Sequence, residues 1–239
     1  MMDAGVFYGR KKSKSNPKMR QFILANRGGV EIINLQKSSD LMEKAAGFIK
    51  EKVRDNGLVL IVGSTPGSET GVMELAKKYS IPYVTVRWVG GAITNYNIIS
   101  KRVDYMKKLR SDFATGALDK YTKKERLDLE REMNRLQELM GGLENLTRQP
   151  DLVIIIDPIF HHTALAEART KKIPVIAFAN VDADPDHIDY IVPGNDKAKT
   201  SVSWFLGNVD KAIEEGIKMR AAVAKPEEAA AAPAAPKTK

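Results

Sequence analysis

The chain has 239 residues, a formal net charge of +8 and 43% hydrophobic residues, enough for one large domain or a domain carrying a subdomain. No cysteine is present, which excludes disulfides, thiolate metal sites and cysteine nucleophiles. No apolar run approaches the roughly 20 residues of a membrane helix, and Met1-Met2-Asp3 opens without the apolar stretch of a signal peptide. A cytoplasmic protein is expected, with a basic surplus that favours polyanions, nucleic acid first.

Residues 1–20 hold Arg10, Lys11, Lys12, Lys14, Lys18 and Arg20 against Asp3 alone. Apolar residues are sparse there, and Gly5, Gly9, Ser13, Ser15 and Pro17 interrupt any period, so an irregular basic arm is expected. Phe22–Ala25 and Val30–Ile33 flank Asn26-Arg27-Gly28-Gly29, a β-hairpin signal. From Ser38, Leu41, Ala45, Phe48, Ile49 and Val53 fall at helical spacing, with Ser38 or Ser39 as N-cap and Gly57 closing. Leu58–Val62 is a continuous apolar run, the mark of a strand buried on both faces. A helix over about Gly67–Tyr79, a strand Pro82–Val86 and a helix from about Thr94 follow. After Pro150 the alternation resumes with strand Leu152–Ile156, helix His162–Lys171, strands Pro174–Phe178 and Tyr190–Val192, and a helix from about Asp196 to Arg220. Such alternation predicts an α/β sandwich: a doubly wound parallel sheet covered on both faces, built from residues 21–100 and 148–220.

Residues 101–147 break the rhythm. No strand pattern occurs, charges of both signs are interspersed, and Leu118, Leu127, Leu129, Met133, Leu136, Leu139 and Met140 give a narrow apolar stripe. Gly116 separates two helical arms, and Thr122 with Glu125 fits a capping box. A helical hairpin insert projecting from the sheet domain is expected. Residues 221–239, rich in Ala and Pro, read as a disordered tail.

Several constellations compete for chemistry. The loop Gly63-Ser64-Thr65-Pro66-Gly67-Ser68-Glu69-Thr70-Gly71 follows a buried strand, where backbone N–H groups can cradle phosphate. Its spacing matches neither G-x-G-x-x-G nor G-x-x-x-x-G-K-[ST], and Glu69 brings negative charge, so turn glycines explain it better. Asp157, Asp182, Asp184, Asp186 and Asp189 gather at strand ends, where a Mg²⁺ ion would suit them; Asp also supports turns and caps, which is the simpler account. His161, His162 and His187 lack the G-x-S-x-G serine that a hydrolytic triad needs. The basic arm is different in kind, because Arg10, Lys11, Lys12, Lys14, Lys18 and Arg20 interleave with Asn16, Gly and Ser and can follow a phosphate backbone. A second constellation runs from Arg87 to Asn95. Arg87 and Trp88 offer stacking planes, Gly90 and Gly91 allow close approach, and Thr94 and Asn95 offer hydrogen bonds. RNA contact through both is the reading from residues alone. A nucleotide enzyme using the strand-end crevice and a free-standing RNA-binding adaptor are the alternatives.

Ordered blocks add a resemblance: Asp3-Ala4-Gly5-Val6, Asn16-Pro17-Lys18-Met19, Ile32-Ile33-Asn34-Leu35-Gln36-Lys37, Arg87–Asn95, Leu152–Pro158, Ala164–Arg169, Ile173-Pro174-Val175, Asp184-Pro185 and Asp189–Asp196. Together they resemble the bacterial-type second protein of the small ribosomal subunit across nearly the whole chain. That resemblance implies a flavodoxin-like sheet with a projecting helical hairpin, and a structural constituent of the small subunit rather than an enzyme. It also implies contact with small-subunit ribosomal RNA and with neighbouring ribosomal proteins, among them the large first protein of the subunit. No membrane, small-molecule substrate or cofactor is expected, beyond a structural Mg²⁺ shared with RNA. The chain departs from the family at Phe7 and Arg10, where histidines are frequent, and at Thr65-Pro66-Gly67, which replaces paired lysines.

Overall fold

The computed structural model describes residues 1–230, with side chains to residue 222. Three short strands come first: β1 (Tyr8–Lys11), β2 (Ile23–Arg27) and β3 (Val30–Ile33). Then follow α1 (Leu35–Arg54), β4 (Val59–Val62), α2 (Glu69–Tyr79), β5 (Tyr83–Val84), α3 (Tyr96–Ala114) and α4 (Lys123–Met140). The chain continues through β6 (Leu152–Ile156), α5 (His162–Thr170), β7 (Val175–Ala179), β8 (Tyr190–Pro193) and α6 (Lys199–Ala230).

Strands β4 to β8 form one parallel sheet in the order β5-β4-β6-β7-β8. Every residue of β4, β6 and β7 is buried, which is why those strands read as unbroken apolar runs. Alternate residues face opposite layers. Ile154, Ile156, Ile176 and Phe178 pack under α1, α2 and α6, while Val153, Ile155, Val175 and Ala177 pack under α3, α4 and α5. The result is the doubly wound three-layer sandwich of a flavodoxin-like fold. The parallel strands end toward one edge, where the loops after them gather and ligands of such sheets bind.

Several expectations are corrected. The N-terminal segment is not an irregular arm. β1, β2 and β3 make an antiparallel sheet in the order β1-β3-β2, and Val6 and Met19 are fully buried. Its two apolar anchors are too far apart to give a local period, and β1 is defined by pairing with β3, about twenty residues away. Turn glycines Gly28 and Gly29 both have positive φ, as a two-residue hairpin of the primed type requires. The cap of α1 is Asn34, whose side chain accepts from the Gln36 and Lys37 amides, not Ser38 or Ser39. β5 spans only Tyr83–Val84 of the expected Pro82–Val86, because the chain then turns away into the Arg87–Asn95 loop.

The hairpin has the expected capping box at Thr122 and Glu125, and Gly116 lies between its arms with φ +72°. Its roots are not solvated: Ile99, Val103, Met106, Leu136 and Met140 belong to the core against the sheet. Helix α6 runs past Arg220 to Ala230, so the segment expected as disordered begins as helix; alanine is the strongest helix former. The rest of that expected tail, 231–239, lies outside the described residues.

Candidate nucleic-acid interface

The N-terminal segment lies across the strand-end edge of the main sheet. Asn16 donates its backbone N–H to the Val181 carbonyl at 2.8 Å, and Met19 and Phe22 pack with Ala179, Val181, Ala183 and Ile191. The Asn16 side chain accepts from the Lys18 amide at 3.0 Å, capping the short helical turn that follows. Docked in this way, the segment divides its cations into two sets.

Arg10 and Lys18 are paired with aspartates that follow the strand ends. Arg10 lies 3.3 Å from both Asp182 and Asp196, and Lys18 reaches Asp184 at 3.1 Å and also Asp186. The Asp196 carboxyl is 1% exposed. Burial, reinforced by Asp157, pushes its pKa up to about 6, with Arg10 and Lys197 pulling the other way. Asp157 is paired with Lys197. The strand-end carboxylates do not fit a Mg²⁺ site of their own, because Asp157, Asp182, Asp184, Asp186 and Asp196 each face a lysine or arginine. Asp189 instead accepts the Val175 amide at 2.8 Å.

Lys11, Lys12, Lys14 and Arg20 are exposed, and none of them forms an ion pair among the described residues. Pairing brings in a cation that the sequence reading did not single out: Lys11 and Arg27 both lie opposite Val30, on the two strands flanking it. The Lys12 amide donates to Gly29 in the same turn. Lys11, Lys12 and Arg27 therefore gather at one end of the small sheet. Arg27 is missed by composition because it stands alone in its stretch of sequence; only the register places it there.

The Arg87–Asn95 loop behaves differently from the expectation. Trp88 is 9% exposed and donates its indole N–H to Glu167 Oε1 at 2.9 Å. The same oxygen accepts the Gly91 amide at 2.8 Å. Oε2 accepts the Ile93 and Thr94 amides and the Thr94 hydroxyl, each at 3.1 Å. Trp88 is thus buried with its indole N–H engaged, which leaves no exposed ring face for stacking, while Thr94 is half-buried and donates its amide and hydroxyl to Glu167. Arg87 and Asn95, at the two ends of the loop, are exposed. Burial raises the Glu167 pKa, but donation from Trp88, Gly91, Thr94 and Ile93 outweighs it and leaves the carboxyl below its usual range. Sequence reading missed Glu167. The signal that could have found it was a carboxylate on the buried stripe of α5, with Ala164 and Ala168.

The loops after β4 and β6 hold the remaining candidates. His161 is 2% exposed, and burial drives its pKa down to about 4. Its Nε2 accepts the Ser64 amide at 3.2 Å, so the neutral ring carries its proton on Nδ1. The lone pair that a base would offer to Ser64 Oγ, 3.4 Å away, is already engaged. Gly67 serves close packing: a Cβ there would come within 2.8 Å of the Lys197 carbonyl oxygen.

A sequence model of the family described as Ribosomal protein S2 matches residues 1–216. The chain is 40% identical over 240 residues to small ribosomal subunit protein uS2 of Rhodococcus erythropolis, covering 98% of this chain and 84% of that protein. It is 39% identical over 221 residues to the protein of the same name in Thermobifida fusca, covering 92% and 76%. The match to its Mycobacterium tuberculosis counterpart is 38% over 239 residues, covering 98% and 83%.

Proposed function

We propose, from the premise that this chain belongs to the ribosomal protein S2 family, that it binds small-subunit ribosomal RNA through the outward cations of its N-terminal segment. The family is structural, a constituent of the small subunit of the bacterial-type ribosome. The observation that carries the finer reading is the exposed group Lys11, Lys12, Lys14, Arg20 and Arg27, with no carboxylate paired to any of them among the described residues. Unneutralised cations on a docked, ordered element meet phosphates without first breaking an internal pair. Such contacts supply affinity and register but little base discrimination. Arg87 and Asn95, on the pinned loop that follows β5, supply a second contact.

A separate observation supports contact with other proteins of the subunit, the large first protein among them. An apolar concavity of about 620 Å³ beside the small sheet is lined by Met2, Phe7, Leu24 and Ile32, with Met2 71% and Leu24 67% exposed. Exposed apolar surface of this kind marks association surfaces. Cytoplasmic location follows from assembly into the small subunit.

The test is a salt titration of RNA binding by the full chain and by a variant with Lys11, Lys12, Lys14 and Arg20 changed to Gln. Affinity should fall, and the slope of log affinity against log salt should flatten by about 0.7–0.9 for each phosphate left unneutralised. An unchanged slope would remove the N-terminal segment from the interface. In sedimentation the parent should travel with small subunits; mostly free protein would favour an adaptor acting outside the ribosome.

A further inference from the structure

An ionised carboxylate offers about four lone-pair positions, and the side chain of Glu167 receives five donors from a single stretch of seven residues, Trp88 to Thr94. No capacity is left for a metal or a ligand. What this carboxylate does instead is organise the chain between β5 and α3, which contains no regular helix or strand. It substitutes for the backbone ladder that would otherwise satisfy the buried amide of Ile93 and the half-buried amides of Gly91 and Thr94. Gly91, with φ +89°, makes the turn that lets amides on both sides of it reach one side chain. The pinned stretch is flanked by Arg87 on one side and Asn95 on the other, both exposed.

We propose that Glu167 is a positioning residue for RNA binding: anchored on α5, it holds residues 88–94 in one conformation so that Arg87 and Asn95 meet RNA at a fixed spacing. This rests on the reading that the loop contacts RNA. Chemistry makes the role specific to a carboxylate of this length. A carboxamide has one acceptor oxygen, and its NH₂ group would face amide donors, stranding at least some of them unpaired. Aspartate keeps the charge but is one methylene short of reaching both halves of the loop.

The experiment uses the full chain and combines two readouts. Amide hydrogen exchange at Gly91, Ile93 and Thr94 should accelerate in Glu167→Gln while exchange in β6 and β7 stays slow; unchanged exchange at those three amides would overturn the proposal. Affinity for small-subunit ribosomal RNA is then compared in Arg87→Ala, Glu167→Gln and the double variant. Removing a charged hydrogen bond predicts about tenfold weaker binding in each single variant. If Glu167 acts through Arg87, the double variant weakens by about tenfold as well; independent effects would multiply to about a hundredfold and would overturn it. A wild-type affinity in the combined Arg87→Ala and Asn95→Ala variant would sink the RNA reading of the loop, and the positioning role with it, even while the exchange data still reported the anchoring. Should Glu167→Gln fail to fold, Thr94→Val deletes one of the five donors with little change of shape. It should speed exchange at Ile93 and weaken RNA binding by about two- to fivefold, and no change in either would count against the proposal.

Discussion

The N-terminal segment and the helical hairpin are both rich in lysine and arginine, and the ion pairs they make differ in reach. In the hairpin, the ion pairs that form are local. Arg110 meets Glu144 through two parallel bonds of 2.8 and 3.0 Å, Arg126 meets Asp119, and Arg131 meets Asp128 on the same helix. In the N-terminal segment the pairs span most of the chain: Arg10 to Asp182 and Asp196, Lys18 to Asp184 and Asp186. There, charge fastens one element to another, and the cations left over face outward. A count of basic residues cannot distinguish these cases. The reach of the ion pairs in the folded state does.

The contrast is testable by removing one arginine from each region. Arg10→Met leaves Asp196 buried without its partner, and breaking a pair of that kind costs about 3 kcal/mol at neutral pH and above. The loss, read by urea denaturation, should shrink below about pH 6, where Asp196 takes up a proton. A uniform loss at all pH values would mean that Arg10 stabilises by packing rather than by charge.

The pH dependence itself sharpens the comparison, because two buried groups at the strand ends oppose each other. Asp196 has a folded pKa of about 6, above its ordinary 3.8, so the folded state binds the extra proton. Its contribution to stability is greatest at low pH and is lost as pH rises from about 4 to about 6. His161 has a folded pKa of about 4, below its ordinary 6.5, so the unfolded chain binds the extra proton and stability rises across much the same window. At 1.36 kcal/mol per pKa unit, each effect is at most about 3.5 kcal/mol. Relative to the parent, Asp196→Asn should steepen the rise in stability between about pH 4 and 6, and His161→Gln should flatten it. Denaturation curves that shift in parallel at both ends of the window would contradict the burial of these groups.

The smallest effect belongs to the hairpin. Arg110 is half exposed, and exposed pairs contribute about 0.5 kcal/mol after solvent screening. Arg110→Ala should therefore lower the midpoint of thermal unfolding only slightly. A loss as large as that of Arg10→Met would erase the distinction between the two regions.

Much of the architecture was legible in the residues. Leu58–Val62 and Leu152–Ile156 announce strands covered on both faces, Thr122 with Glu125 announces a helix start, and Gly28-Gly29 announces a hairpin. Each signal is local, carried by neighbours within about four residues. β1 was not legible, since Tyr8–Lys11 is a strand only by virtue of Val30 and Ile32 beside it. Within the candidate site, Lys11, Lys12, Lys14 and Arg20 are exposed and unpaired among the described residues, whereas Arg10 and Lys18 are paired with aspartates beyond the strand ends. Trp88 and Thr94 carry side chains suited to RNA, yet their donors go to Glu167, which lies more than seventy residues away in sequence.

By itself, then, the amino-acid order determined the sheet, the layers over it and the membership of a ribosomal family, because periodicity and short motifs survive without knowledge of distant neighbours. Tertiary structure alone decided which cations stay free to meet a partner and which side chains a buried carboxylate claims. Electrostatic and hydrogen-bonding partners are chosen by distance in space, and the chain brings Asp196 to Arg10 and Glu167 to Trp88 only when the strand ends come together.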